Sequence, residues 1–231
     1  MHSALFMAIF NRASLEVIQS LVQVHDDMNK LEPGFGMSDY LTPLMVALKY
    51  NPSAIPLLLV NIQVDVNKAD FNDYTPLILV AVYRHDQRIV GGDERYNIVI
   101  PLLMSHPKLN VNKTGRSGNS ALMYVASYGY DLLPFLERPE IEVNARNVFG
   151  DTALLKAVEM GHSLQIRQLL ADHRTDPNVK NKLDRGIVDL AQNMHPELLP
   201  LFRREIMALM SAKRVILPTE LMFRLNMMLY I

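Results

Sequence analysis

Cysteine and tryptophan are both missing from this 231-residue chain. Without cysteine there is no disulfide, no thiolate nucleophile and no thiolate metal ligand. That argues against a disulfide-held secreted scaffold and is compatible with a reducing compartment. An excess of either charge is missing too. The 23 basic and 24 acidic residues leave a formal net charge of -1, which removes the electrostatic footprint expected for nucleic acid or an anionic membrane. Long apolar runs are also lacking: Ile55 to Val60 and Pro76 to Tyr83 fall far short of the roughly 20 residues that span a bilayer. The opening stretch, Met1 to Phe10, is apolar but carries no basic leader and no small-residue cleavage site before Arg12. With 49% hydrophobic and 20% charged residues, the composition is that of an ordinary globular protein, and a cytoplasmic location is expected.

What the sequence does contain is self-similarity. Four segments begin alike: Thr42-Pro43-Leu44-Met45-Val46-Ala47, Thr75-Pro76-Leu77-Ile78, Ser120-Ala121-Leu122-Met123 and Thr152-Ala153-Leu154-Leu155. Degenerate copies start at Ser3 and Gly186. Steps between the Thr/Ser anchors are 33, 45, 32 and 34 residues, and the long step holds about twelve extra residues. Fourteen residues after an anchor lie Pro56, Pro134 and Pro200; Pro101 joins them once those twelve are removed. Proline is best tolerated in a first helical turn, so these residues predict second helices over Ile55 to Val60, Ile98 to Met104, Leu132 to Leu136 and Leu198 to Phe202. A third marker ends in asparagine: Val64-Asp65-Val66-Asn67, Leu109-Asn110-Val111-Asn112, Ile141-Glu142-Val143-Asn144 and Thr175-Asp176-Pro177-Asn178. Asparagine suits turns, and each marker leads into a Gly/Asp-rich segment such as Gly115 to Gly118.

A T-P-L-x-x-A helix, the Gly161-His162 turn, a second apolar helix and a D-V-N finger, all in one register, resemble the ankyrin family over residues 3–202. The resemblance implies an all-α solenoid of helix-turn-helix repeats with short finger loops. Repeats would start near residues 3, 42, 75, 120, 152 and 186 of a 1–205 domain, with an insertion at about 85–96 in the third. Residues 206–231 would form a C-terminal helical cap or F-box-like segment. The chain departs from the family pattern by placing Met45, Ile78, Met123 and Leu155 where the first helix usually has histidine. The repeated second-helix prolines are a further departure. Two short helices with one apolar face each cannot bury those faces alone, so neighbouring copies must stack and the end copies must be atypical.

No catalytic residue, metal ligand or cofactor site is expected. H-E-x-x-H, the phosphate-binding glycine loops and a complete nucleophile elbow are all absent; Ser120 in Gly118-Asn119-Ser120 is accounted for as a repeat anchor. His85 and His162 lie ten residues after their anchors, where a turn hydrogen bond explains them. Arg203, Arg204, Lys213 and Arg214 read as a solvated helix face. The polar Gly91-Gly92-Asp93-Glu94-Arg95 stretch of the insertion reads as a loop joining two helices, with no function assigned.

The expected function is protein binding. Eight residues after the anchors come Tyr50, Tyr83, Tyr128 and Met160, with Asn11 in the first copy. By the resemblance this position ends the inner helix and faces the concave groove, so stacking would make one row of it. Tyrosines there would be amphipathic anchors with few rotors; the alternative is that they close the end of the core. Phe71, Tyr74, Arg116, Val148 and Phe149 would add finger-tip contacts. In the tail, Leu217-Pro218-Thr219-Glu220-Leu221 followed by Leu225 and Leu229 resembles the first helix of an F-box. It is similar to the truncated F-box-like ends of ankyrin proteins from poxviruses and intracellular bacteria. That resemblance implies a second reading: an adaptor recruiting ubiquitin-ligase subunits, acting in a host cytoplasm or nucleus. The competing reading of the tail is an amphipathic helix capping the last repeat. An enzyme on the same frame has no residues to carry it.

Overall fold

The structure, a computed structural model, describes residues 2–34, 40–83 and 92–201, with the backbone alone given for Tyr83 and residues 92–96. The chain divides into two units, Met1–Arg116 and Ser117–Ile231. The first holds helices α1 (Ala4–Phe10), α2 (Leu15–Val24), α3 (Pro43–Tyr50), α4 (Ile55–Val60), α5 (Pro76–Tyr83) and α6 (Gly92–Met104). The second holds α7 (Ala121–Tyr128), α8 (Leu133–Leu136), α9 (Ala153–Glu159), α10 (Ser163–Ala171) and α11 (Ile187–Met194). Among the described residues there are thus five helix pairs, and α11 opens a sixth. Among the described residues one feature is not helical: β1 (Glu32–Pro33) pairs antiparallel with β2 (Tyr40–Leu41) just ahead of α3.

The repeat anchors are helix caps. The hydroxyls of Ser3, Thr42, Thr75, Ser120 and Thr152 accept from the amide N–H three residues on, at 3.2 to 3.4 Å. Each satisfies one of the donors that a helix start leaves without a partner, a contribution of about 1 kcal/mol per cap. Gly186 has no hydroxyl; there the Asp189 carboxylate reaches back to accept from the Gly186 N–H at 3.0 Å. Anchors recur because every inner helix needs this acceptor.

The first helix of each pair is the core. Pro43 to Leu48 are all buried, as are Ala121 to Met123 and Ala153 to Leu155. Apolar character all round a helix means burial on all sides. In the first unit α3 lies between α1 and α5 and has α4 behind it; in the second α9 lies between α7 and α11 with α10 behind it. The residues replacing the family histidine, Met45, Ile78, Met123 and Leu155, are fully buried and fill this packing.

The third pair corrects the sequence reading. Pro56 and Pro134 do open α4 and α8, but α6 starts at Gly92, so Asp93, Glu94 and Arg95 are helical and Pro101 is an interior residue. Proline leaves the Asn97 carbonyl without its helical donor, and both residues lie on the exposed side, where water can reach. The helix therefore absorbs part of the insertion that the glycines suggested was loop. Residues 84–91, with His85 among them, lie outside the described residues.

Asparagines join one repeat to the next. The Asn67 amide donates to the Lys108 carbonyl at 2.6 Å while its oxygen accepts from the Asn110 N–H at 2.7 Å. Asn29 does the same to Gln63 and Asp65, and Asn144 to Arg174 and Asp176. A side chain carrying both a donor and an acceptor in one plane is required, which is why the marker ends in asparagine. Arg174 adds a second tie. Its guanidinium donates to the carbonyls of Leu136, the last residue of α8, and of Arg138 beyond it, at 2.6 and 2.8 Å, and Asp172 holds it in place at 2.6 Å.

Asn144→Ala is expected to destabilise the chain by about 1–2 kcal/mol, the net worth of two hydrogen bonds, measured by urea unfolding. Asn144→Asp, which keeps the acceptor and loses the donor, should fall between. The Arg174 hydrogen bonds hold the Asp172 carboxyl below the ordinary aspartate range, against the opposing effect of burial. A carboxyl depressed in the folded state contributes stability above its unfolded pKa and loses it as pH falls through the folded one. Asp172→Asn should therefore flatten the acid limb of a stability-versus-pH curve while leaving its shape at neutral pH unchanged.

Candidate functional site

The fingers between repeats are turns built around one side chain. Asp70 accepts from the Asn72 and Tyr74 N–H groups, both at 2.8 Å. Asn147 accepts from Phe149 and Asp151 at 2.9 Å, and Asn181 from Leu183 and Arg185 at 3.0 and 3.1 Å. All three residues stand five positions before an anchor. In the fourth repeat that position is Gly115, where a Cβ would come within 2.8 Å of the Tyr74 ring. Adjacent fingers are tied through their backbones: Arg116 N–H to the Asn72 carbonyl, Val148 N–H to Ser117, and Lys182 N–H to Phe149. With their polar backbone groups engaged, the finger-tip side chains point outward on firm supports.

In the first unit Phe71 is 54% exposed, and its ring meets that of Tyr40 at 4.5 Å between centroids. Arg116 donates to the Phe71 carbonyl at 2.5 Å and lies 3.8 Å from the Asp73 carboxylate, so its charge is engaged locally. Tyr74 packs down against Gly115 and is half-buried. In the second unit Val148 and Phe149 are exposed, Phe149 to 63%. Tyr40 and Leu183 were not foreseen. Leu183 had a legible signal, since it stands three residues before its anchor exactly as Phe149 does before Thr152.

Among the helix-end residues, Tyr50 and Tyr128 are half-buried and Met160 is exposed. The Tyr50 ring meets Phe10 edge-on at 4.7 Å and has the Lys49 ammonium 5.6 Å from its centroid. Its carbonyl accepts from Arg12 at 2.8 Å. Tyr128 stacks on Tyr124 at 6.3 Å and contacts Tyr130 at 6.0 Å. Burial, and then the nearby Tyr124, raise the Tyr128 pKa against the opposing pull of Lys156. The Tyr83 side chain, Arg203, Arg204, Lys213 and Arg214, and the whole tail motif from Leu217 to Leu229 lie outside the described residues.

Histidine has a structural part at the turns. His162 Nε2 lies 2.9 Å from the Ser127 carbonyl of the preceding repeat, and His195 Nε2 lies 3.1 Å from that of Glu159. Each ring covers a glycine in the left-handed conformation, Gly129 at φ 74° and Gly161 at φ 76°, where a Cβ would approach the ring to 2.9 and 2.7 Å. The hydrogen bond expected for His162 exists, but it reaches across repeats instead of closing its own turn. Among the described residues, no group of three or more His, Asp or Glu side chains is placed to hold a metal ion, and no helix is long and apolar enough to cross a membrane.

Comparison with known proteins agrees with this architecture. Residues 88–181 match the ankyrin-repeat family model in three copies. A stretch of 108 residues is 34% identical to an ankyrin repeat protein of Acanthamoeba polyphaga mimivirus, covering 43% of this chain and 16% of that much longer protein. Among solved structures, the ankyrin repeat domain of Bcl-3, an IkappaB-family protein, superposes with a TM-score of 0.70 at 19% identity, covering 89% of this chain and 86% of that one. An ankyrin repeat domain from Acinetobacter baumannii gives 0.63 at 22% identity, over 82% and 90%. Ankyrin repeats serve generally as protein-interaction modules and are typically non-catalytic. With capped inner helices, fingers tied by their backbones and histidine rings over Gly129 and Gly161, the chain has the ankyrin-repeat fold, and its residues 88–181 match that repeat family.

Proposed function

We propose that this chain is a non-catalytic protein-binding module, working in the cytoplasm, whose partner docks on the finger tips and the helix-end row that the ankyrin resemblance places in the concave groove. The observation that carries the reading is Phe149. It keeps 63% of its surface in water, although its N–H is held by Asn147 and its carbonyl by Lys182. A large apolar ring on a fixed mount loses little conformational entropy when a partner covers it. Phe71 and Tyr40 give the first unit a similar pair.

A second reading, the ubiquitin-ligase adaptor, is supported by the pattern Leu217, Pro218, Glu220, Leu221, Leu225 and Leu229. On this partition residues 1–205 hold the target and residues 206–231 recruit ligase subunits.

Capture of partners from cell extract by the intact chain tests both. Phe71→Ser with Phe149→Ser should weaken the recovered partner by about 2 kcal/mol or more, an anchor-sized effect, with little change in thermal stability because both rings are exposed. Tyr50→Ala with Tyr128→Ala should weaken binding and also cost measurable stability, since both rings have packed neighbours. If neither pair alters capture while the fold is intact, the binding reading fails. Deleting Leu217 to Ile231 separates the tail readings. A fallen melting temperature identifies a cap, whereas lost recovery of ligase subunits with an unchanged melting temperature identifies an adaptor.

A further inference from the structure

The finger tips of the second unit combine exposed apolar surface with charge that nothing among the described residues balances. Lys182 N–H donates to the Phe149 carbonyl at 2.9 Å, which sets the two tips side by side. Phe149 is 63% exposed and Leu183 70%. Residues 146–151 and 180–186 carry four cations, Arg146, Lys180, Lys182 and Arg185, against two carboxylates, Asp151 and Asp184. Four less two leaves an excess of two positive charges, in a chain whose overall net charge is -1.

The geometry shows which cations are spare. Arg146 donates to the Gly150 and Lys180 carbonyls at 3.1 and 2.5 Å and so belongs to the scaffold. Lys180 pairs with Asp184 at 3.1 Å, and Asp151 accepts from the Asn181 amide at 2.9 Å. The Lys182 ammonium and the Arg185 guanidinium make no hydrogen bond or ion pair among the described residues, and both side chains are exposed. In the first unit, by contrast, the Arg116 guanidinium beside Phe71 is engaged by the Phe71 carbonyl and Asp73.

We infer that Phe149, Leu183, Lys182 and Arg185 form a docking surface for an acidic peptide segment that carries large apolar side chains. This deepens the protein-binding reading and rests on it. The apolar tips would be covered by the partner's apolar side chains, and the two unpaired cations would meet its carboxylates. Complementary charge of this kind sets orientation and selects against basic partners more than it adds raw affinity. Two spare cations are too few for a phosphate backbone to bind tightly, and such a ligand would leave Leu183 without a counterpart.

The test uses the full chain and short fluorescein-labelled probes read by fluorescence anisotropy. One peptide alternates Asp and Glu with Leu and Phe; a second has Lys for every acidic residue; a third has Ser for every apolar one. Single-stranded polyuridine is the fourth probe. The first peptide should bind best, and its affinity should fall several-fold between about 0.05 and about 0.3 M salt. Lys182→Glu with Arg185→Glu should weaken it by about tenfold, and Phe149→Ser with Leu183→Ser should remove binding. All four side chains are exposed, so thermal melts should match the parent chain. The inference is overturned if the lysine peptide binds as well, if charge reversal changes nothing, if no peptide binds, or if polyuridine binds more tightly. The wider reading is judged separately. If capture of a cellular partner depends on Phe149 but not on Lys182 and Arg185, protein binding stands and the acidic partner does not.

Discussion

An inner helix such as α3 has apolar residues around nearly its whole circumference, so it is stable only when packed on every side. Its own outer helix covers one side. The remaining sides must be supplied by the inner helices before and after it, as α1 and α5 do for α3, and α7 and α11 for α9. This requirement makes the unit of stability the pair of neighbouring repeats and not the single one. It also explains why polar ties concentrate at the repeat boundary. Asn67 and Asn144 reach forward, and Arg174, His162 and His195 reach back, to backbone groups of the neighbouring repeat, fixing the register that the apolar contacts leave loose.

The residues that repeat most plainly are those with only one chemical solution. A helix start needs a short side-chain acceptor, so Ser3, Thr42, Thr75, Ser120 and Thr152 could be lined up by eye and every one is a cap. The buried faces were readable because apolar residues are interchangeable in kind while their positions are not. The role of the marker asparagines was harder to read. Asn67 and Asn144 suit turns, but their conserved position within the repeat reflects a bridge to a residue 30 or more places away, which local spacing does not display. The finger hub was hidden for a different reason. Asp70, Asn147 and Asn181 share it, yet Gly115 occupies the same place with no acceptor at all, so the pattern breaks where Tyr74 takes up the space.

Proline misled for a physical reason as well. Pro56 and Pro134 are the second residues of α4 and α8, and only a short 3-10 turn, Pro52–Ala54, comes directly before α4. Pro101 has the same local sequence character, but the inserted segment ahead of it is rich in helix-compatible charge, and the helix extends backward through it. An exposed proline can sit inside a helix when the carbonyl it leaves without a partner faces water. Whether a proline starts a helix is therefore decided by the residues before it, and the repeat register alone does not carry that information.

The candidate site follows from how the fingers spend their polar groups. Within each finger the hub side chain and the backbone ties consume the donors and acceptors that would otherwise demand particular neighbours. What the tips leave exposed is Phe71 in the first unit and Val148, Phe149, Leu183 and Lys182 in the second. Tyr50 and Tyr128 differ, because Phe10 and Lys49 pack on the one and Tyr124 and Tyr130 on the other. A substitution at the helix ends changes packing and surface together, whereas one at the tips changes surface alone. Specificity can thus vary at the tips without a cost in stability. The unpaired cations beside Phe149 belong to this variable layer, since removing their charge would disturb no hydrogen bond that holds the repeats in register.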